Sequence, residues 1–83
     1  MKEQITIYYI KDKLHPDDYI VKRVLIQEGE YFKVVTYYNM NGKIKEFPSK
    51  LKFNAETLAR YILESMKAPF FEKIEYQSVL EGI

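Results

Sequence analysis

The sequence has no cysteine and no tryptophan, one histidine, three glycines and three prolines in 83 residues. The missing thiols exclude disulfides, thiolate metal sites and cysteine nucleophiles together, and they fit a reducing compartment. His15 is the one imidazole that could serve Ser49, Ser65 or Ser78 as a base. The glycines at 29, 42 and 82 are isolated and form neither GxGxxG nor GxxxxGK[ST], so no phosphate cradle is expected. Apolar runs are short as well. The longest, Ile5 to Ile10, includes Thr6 and falls far below the roughly 18–20 residues of a membrane span. Met1-Lys2-Glu3-Gln4 is not followed by the roughly 7–15 apolar residues of a secretory signal. The expectation by exclusion is a cytoplasmic protein without a membrane partner and without a cofactor.

Charge of one sign is not in excess either. Thirteen basic and twelve acidic residues leave +1, which gives no global attraction to nucleic acid. The distribution is less even, since residues 43–52, KIKEFPSKLK, hold four lysines against Glu46 alone. From Asn54 onward Arg60, Lys67 and Lys73 stand against Glu56, Glu64, Glu72, Glu75 and Glu81. A gradient of this kind can steer a partner, although solvated loops and helix faces carry the same pattern.

What is present suits one small globular domain over residues 1–83. At 10.0 kDa the folded chain is expected to expose roughly 5,200 Å², against about 14,500 Å² unfolded. A hydrophobic content of 47% supplies a modest core, and no repeat, linker or biased tract interrupts the chain.

The elements read as follows. Residues 4–11, QITIYYIK, form a β-branched and aromatic strand with Ile5, Ile7 and Tyr9 on one side. Lys11 to Asp18 is polar and holds His15-Pro16, so it reads as a loop or the start of an element. Residues 19–40 admit two readings. As strands, YIVKRVLIQ and YFKVVTYYNM make a hairpin about a three-residue loop, Glu28-Gly29-Glu30. That loop pairs Ile26 with Phe32, Val24 with Val34 and Ile20 with Tyr38. As a helix over about 16–28, Ile20, Val21, Val24 and Leu25 share a stripe between Pro16 and Gly29. The boundary residues favour helix; four β-branched residues and Tyr19 favour strand, which is the reading taken.

Asn41-Gly42 then signals a tight hairpin, and KIKEF returns as a short strand stopped by Pro48. Asn54 caps a helix from about Ala55 to Lys67, with Leu58, Tyr61, Ile62 and Met66 on its apolar face and Pro69 beyond its end. Phe70, Ile74, Tyr76 and Leu80 alternate with polar residues as a last strand. The expected fold is therefore α+β, a β-meander of about four strands plus a C-terminal strand, with one helix (about 55–67) packed on one face. The helical reading of 16–28 would instead make a βαββαβ, ferredoxin-like split-βαβ arrangement.

Groups that could carry chemistry are few. His15, Asp17 and Asp18 are the only histidine–carboxylate cluster near in sequence, and their turn-like spacing lacks the three or four ligands of a metal site. No catalytic residue and no metal ligand is assigned. The unusual number is aromatic: eight tyrosines and five phenylalanines. Tyrosine has high β propensity and often flanks a core with its hydroxyl in water. Tyrosine mixed with arginine or lysine on a sheet face also suits a protein interface. On the strand reading Tyr19, Arg23, Tyr31, Lys33 and Tyr37 share such a face.

The expected function is non-enzymatic binding of another protein, or of a second copy in a homodimer, by a small adaptor, regulator or inhibitor. Accessory proteins of this size, including those of phages and mobile elements, act by occupying a partner. The alternative is a single-stranded nucleic-acid binder using Tyr31 and Tyr37 with Lys43, Lys45, Lys50 and Lys52. Stacked bases and neutralised phosphates would supply its affinity. It lacks the aromatic-glycine strand and GxxG loop of common RNA modules.

Overall fold

Residues 18–28 form a strand, which decides the topology and removes the split-βαβ alternative with its first helix. The computed structural model describes residues 2–79. It contains β1 (Lys2–Tyr9), β2 (Asp18–Glu28), β3 (Tyr31–Met40), β4 (Lys43–Phe53), α1 (Ala55–Lys67) and β5 (Phe71–Val79). The strands form one antiparallel sheet in the order β4-β3-β2-β1-β5, so the helix carries the chain from one edge to the other. The helix packs on one face of this sheet, and the protein is a small α+β fold.

The two central hairpins turn on two residues each. At Asn41-Gly42 both φ angles are positive, 54° and 84°, as a type I′ turn demands. At Gly29-Glu30 only Gly29 is positive, at 62°, the pattern of a II′ turn. This second turn corrects the expected register. A three-residue loop would pair Val24 with Val34; the two-residue turn instead places Glu28 opposite Tyr31, Leu25 opposite Val34 and Val24 opposite Val35. Side chains alternate with a period of two, so a slip of one residue exchanges the faces of one strand relative to the other. An irregularity between Ile20 and Lys22 then restores the expected pairing of Ile20 with Tyr38.

The core lies between the sheet and α1. Ile5, Ile7, Leu25, Phe32, Val34 and Leu58 are its buried members, with Ile7 and Leu25 fully enclosed. Tyr9, Phe53, Tyr61, Ile62, Phe71 and Ile74 pack around them. Asn54 caps the helix as expected, its side-chain oxygen accepting from the Thr57 N–H at 2.9 Å. The apolar stripe differs in one place. Met66 is 51% exposed, whereas Ser65 is buried and donates its hydroxyl to the Tyr61 carbonyl. At about 100° per residue, position 65 falls closer to the azimuth of Leu58 than position 66 does.

Two expectations about the later strands also change. Pro48 does not end β4, which continues to Phe53. The strand is at the sheet edge and its register shifts between the partners of Lys33 and Val35, a place where a missing N–H costs nothing. Phe70 precedes β5 rather than joining it, and Leu80 lies outside the described residues.

The helix is too small for its sheet. Thirteen residues span about 20 Å, enough to cross five strands about 4.8 Å apart. A helix is only about 10 Å wide, and the strands it crosses are 8–11 residues long. Much of the helix-bearing face is therefore uncovered. The molecule exposes 6179 Å², roughly a fifth more than its mass implies, and its radius of gyration is 13.4 Å against about 11.8 Å for a typical domain of this length.

Candidate functional site

The uncovered part of the helix-bearing face forms a cleft. From the end of α1 it runs along Tyr9, Ile10, Phe70, Ile20, Arg23 and Tyr38, a space of about 330 Å³. A second stretch of about 490 Å³ continues past Arg23, Tyr38, Met40 and Phe47 to the β4 edge. A third, under the helix, is bounded by Arg23, Thr36, Leu51, Phe53 and Tyr61. Arg23 borders all three.

Strand pairing explains why these residues meet. Arg23 stands opposite Ile7 on one side and Thr36 on the other, two residues along β2 from the core residue Leu25 and on the same face. Tyr38 stands opposite Ile20 and Lys45, and Thr36 opposite Phe47. The apolar lining is exposed: Ile10 52%, Met40 37%, Phe47 48% and Phe70 46%. Phe70 holds a φ of 67°, a conformation that a bulky L-residue adopts only under strain.

The Arg23 guanidinium is part-buried and engages the hydroxyls of Tyr9 and Tyr61. One amino group donates to the Tyr9 hydroxyl at 3.3 Å, and its carbon lies 5.6 Å from the Tyr9 ring centre. The nearby Tyr61 phenol is pushed up mainly by burial, and Arg23 opposes that shift. Among the described residues no carboxylate pairs with Arg23 within 4.0 Å. Two acids border the same cleft, and both have donors already. Asp12 accepts from His15 at 2.9 Å and from the Leu14 N–H, and the His15 contact holds its pKa below the usual range. Asp18 holds the Tyr38 hydroxyl and thereby raises the Tyr38 pKa. No buried side-chain nitrogen or oxygen among the described residues lacks a partner, so the free Arg23 N–H groups open into the cleft.

The expected contact face is divided by the corrected register. Arg23 faces the helix side, whereas Lys33 and Tyr37 occupy the opposite face with Lys22, Val24 and Val35. Tyr31 is 48% exposed beside the Gly29-Glu30 turn. Tyr19 stands opposite Asn39, carries the Lys11 ammonium 6.0 Å from its ring centre, and borders the cleft next to Ile20.

Residues on the far face satisfy one another. Lys22 lies 4.9 Å from the Tyr37 ring centre and Lys73 lies 5.1 Å from that of Tyr8. Tyr8 donates to Glu75, and Lys73 pairs with Glu75 at 3.2 Å. The grouping for nucleic acid separates too. Lys43 and Lys45 stand opposite Met40 and Tyr38 on the cleft side, away from Tyr37. Lys52 is bound to Glu28 at 3.6 Å, while Lys50 is exposed at the irregular part of β4. Of the His15 cluster, the histidine pairs with Asp12 rather than Asp17 or Asp18. No group of three potential metal ligands exists among the described residues.

Glu28 offers a test of the far face. Its bond to Lys33 at 3.1 Å, helped by Lys52, holds its pKa below the usual glutamate range. A depressed carboxylate contributes stability above its unfolded pKa, and the contribution disappears as pH falls through the folded value. Acid titration by carboxyl-detected NMR should give Glu28 a midpoint below the ordinary value of about 4.3. Lys33→Met should move that midpoint upward. An unchanged midpoint would mean that the pair is not held in solution.

The sequence places Tyr9, Ile20, Tyr38, Phe47 and Phe70 in strands but marks none of them as a site residue. The Arg23–Tyr9 contact depends on the β1–β2 pairing across a long loop, and no local pattern announces it. Phe47 carries a faint signal, as an aromatic beside Pro48 within a basic segment.

The site defines a sheet-and-helix protein with an aromatic cleft around one arginine. No family model, curated protein or solved structure matches this chain.

Proposed function

We propose that this protein acts by binding another protein, without chemistry of its own, and that the cleft around Arg23 receives the partner. It would serve as a small adaptor, regulator or inhibitor. The observation that carries the reading is the uncovered apolar lining of Ile10, Met40, Phe47 and Phe70 around a part-buried guanidinium that forms no ion pair among the described residues. Contiguous exposed apolar surface is rare on a monomer unless something covers it. Arginine and aromatic residues are the types that dominate binding energy at protein interfaces. The strained Phe70 supports the same reading, since backbone strain concentrates at functional positions.

Phe47→Glu should separate interface from framework. Phe47 is 48% exposed, so the variant should keep the circular dichroism of the parent. It should lose binding by about tenfold or more, measured as retention of one protein species that the parent captures. Retention unchanged by the substitution would remove the cleft from consideration. Single-stranded nucleic acid is tested in parallel. With no tryptophan in the chain, tyrosine emission can be followed during titration with single-stranded DNA and RNA at two salt concentrations. No saturable change is expected. Quenching that weakens steeply with salt would replace the protein reading by stacked bases.

A further inference from the structure

The chemistry of the occupant follows from charge, and it rests on the cleft reading above. We infer that the cleft takes an extended acidic segment of a partner protein, with a carboxylate on Arg23 and a neighbouring apolar side chain between Phe70 and Phe47. Arg23 hydrogen-bonds the Tyr9 and Tyr61 hydroxyls and has the planar fork that a carboxylate matches, in surroundings partly withdrawn from water. Lys43 and Lys45 stand on the same face at the β4 end and form no ion pair among the described residues. Asp12 and Asp18 border the cleft as carboxylates, hydrogen-bonded to His15 and to the Tyr38 hydroxyl, and Arg23, Lys43 and Lys45 outnumber them on this face.

Length sets a further limit. From Tyr9 on β1 across β2 and β3 to Phe47 on β4 are three strand spacings, about 14 Å. An extended chain covers that distance in about four or five residues.

The test is selection from a library of displayed random twelve-residue peptides against the full chain. Enrichment of sequences with Asp or Glu next to Phe, Leu or Ile is expected. The selected peptides, made synthetically, should bind about ten- to a hundredfold more weakly to Arg23→Gln, the loss of a charge-assisted hydrogen bond. Arg23→Lys should recover only part of the affinity, because it lacks the fork. Lys43→Gln with Lys45→Gln should cost about two- to fivefold, with a reduced salt dependence. Melting of Arg23→Gln is followed by tyrosine circular dichroism; if that variant does not fold, the lysine pair and the salt dependence still decide.

Enriched peptides without acid that nonetheless lose binding to Phe47→Glu would overturn the acidic occupant and leave the cleft reading standing. No enrichment, or enrichment of basic peptides, overturns the inference. A concentration-dependent dimer that Arg23→Gln dissociates also overturns it, by giving the cleft to a second copy.

Discussion

Leu25→Ala lowers the stability of this protein by about 3–4 kcal/mol, the upper half of the range for a buried leucine. Leu25 is fully enclosed, two positions from Arg23 along β2, with Ile5 opposite on β1 and Val34 opposite on β3. Both neighbours are held by strand hydrogen bonds, so the sheet cannot collapse into the space left behind. A domain of 83 residues has about 4–12 kcal/mol in total. The substitution thus removes from a quarter to nearly all of it. Thermal melting should move down by more than about 10 °C, and hydrogen exchange should quicken throughout β1, β2 and β3. A melting temperature within about 3 °C of the parent would contradict the central place given to this residue.

Leu58→Ala costs about 2–4 kcal/mol, and its effect is local in a way that Leu25→Ala is not. Leu58 is the only apolar side chain of α1 that is buried; Tyr61 and Ile62 are half-buried and Ser65 contributes no apolar area. A 13-residue helix is marginal without tertiary contacts. Once Leu58 is shortened, α1 should open from the sheet before the sheet itself unfolds. Exchange at the helix amides should accelerate more than exchange at the centre of β2, and tyrosine emission should change as the stacked Phe53–Tyr61 pair, 5.1 Å between ring centres, separates. Equal acceleration in helix and sheet would show that the two unfold as one unit.

These two leucines differ in how openly the sequence declares them. Leu58 belongs to a stripe at helical spacing behind a capping asparagine, so its burial is legible from local pattern. Leu25 is harder to place. On the helix reading it belongs to a stripe with Ile20, Val21 and Val24; on the strand reading with a three-residue loop it falls on the same side as Tyr31 and Lys33. Only the two-residue Gly29-Glu30 turn puts it with Val34 in the core. The turn length is a matter of one residue, and composition around Glu28-Gly29-Glu30 is compatible with both lengths.

The candidate site inherits that sensitivity. Arg23 is prominent in the sequence, but its expected companions Lys33 and Tyr37 lie through the sheet from it, engaged with Glu28 and Lys22. Its actual companions come from β1, β3, β4 and the segment after α1. Apart from Asp18, Tyr19 and Ile20 on its own strand, none of the lining residues is within ten residues of it in sequence, so no periodicity connects them. Pro48 misled for a related reason: a proline stops a central strand, and β4 becomes an edge strand only once the sheet order is known.

By itself the sequence determined the α+β class, the Asn41-Gly42 hairpin, the capped helix over 55–67 and the absence of thiol chemistry, because each depends on residues close along the chain. Only the tertiary structure decided the β2–β3 register, the sheet order and the cleft around Arg23. Register depends on turn geometry and on burial summed over both strands, and a cleft depends on which part of a sheet one short helix leaves uncovered. Both are properties of contacts between distant residues, and no local pattern encodes them.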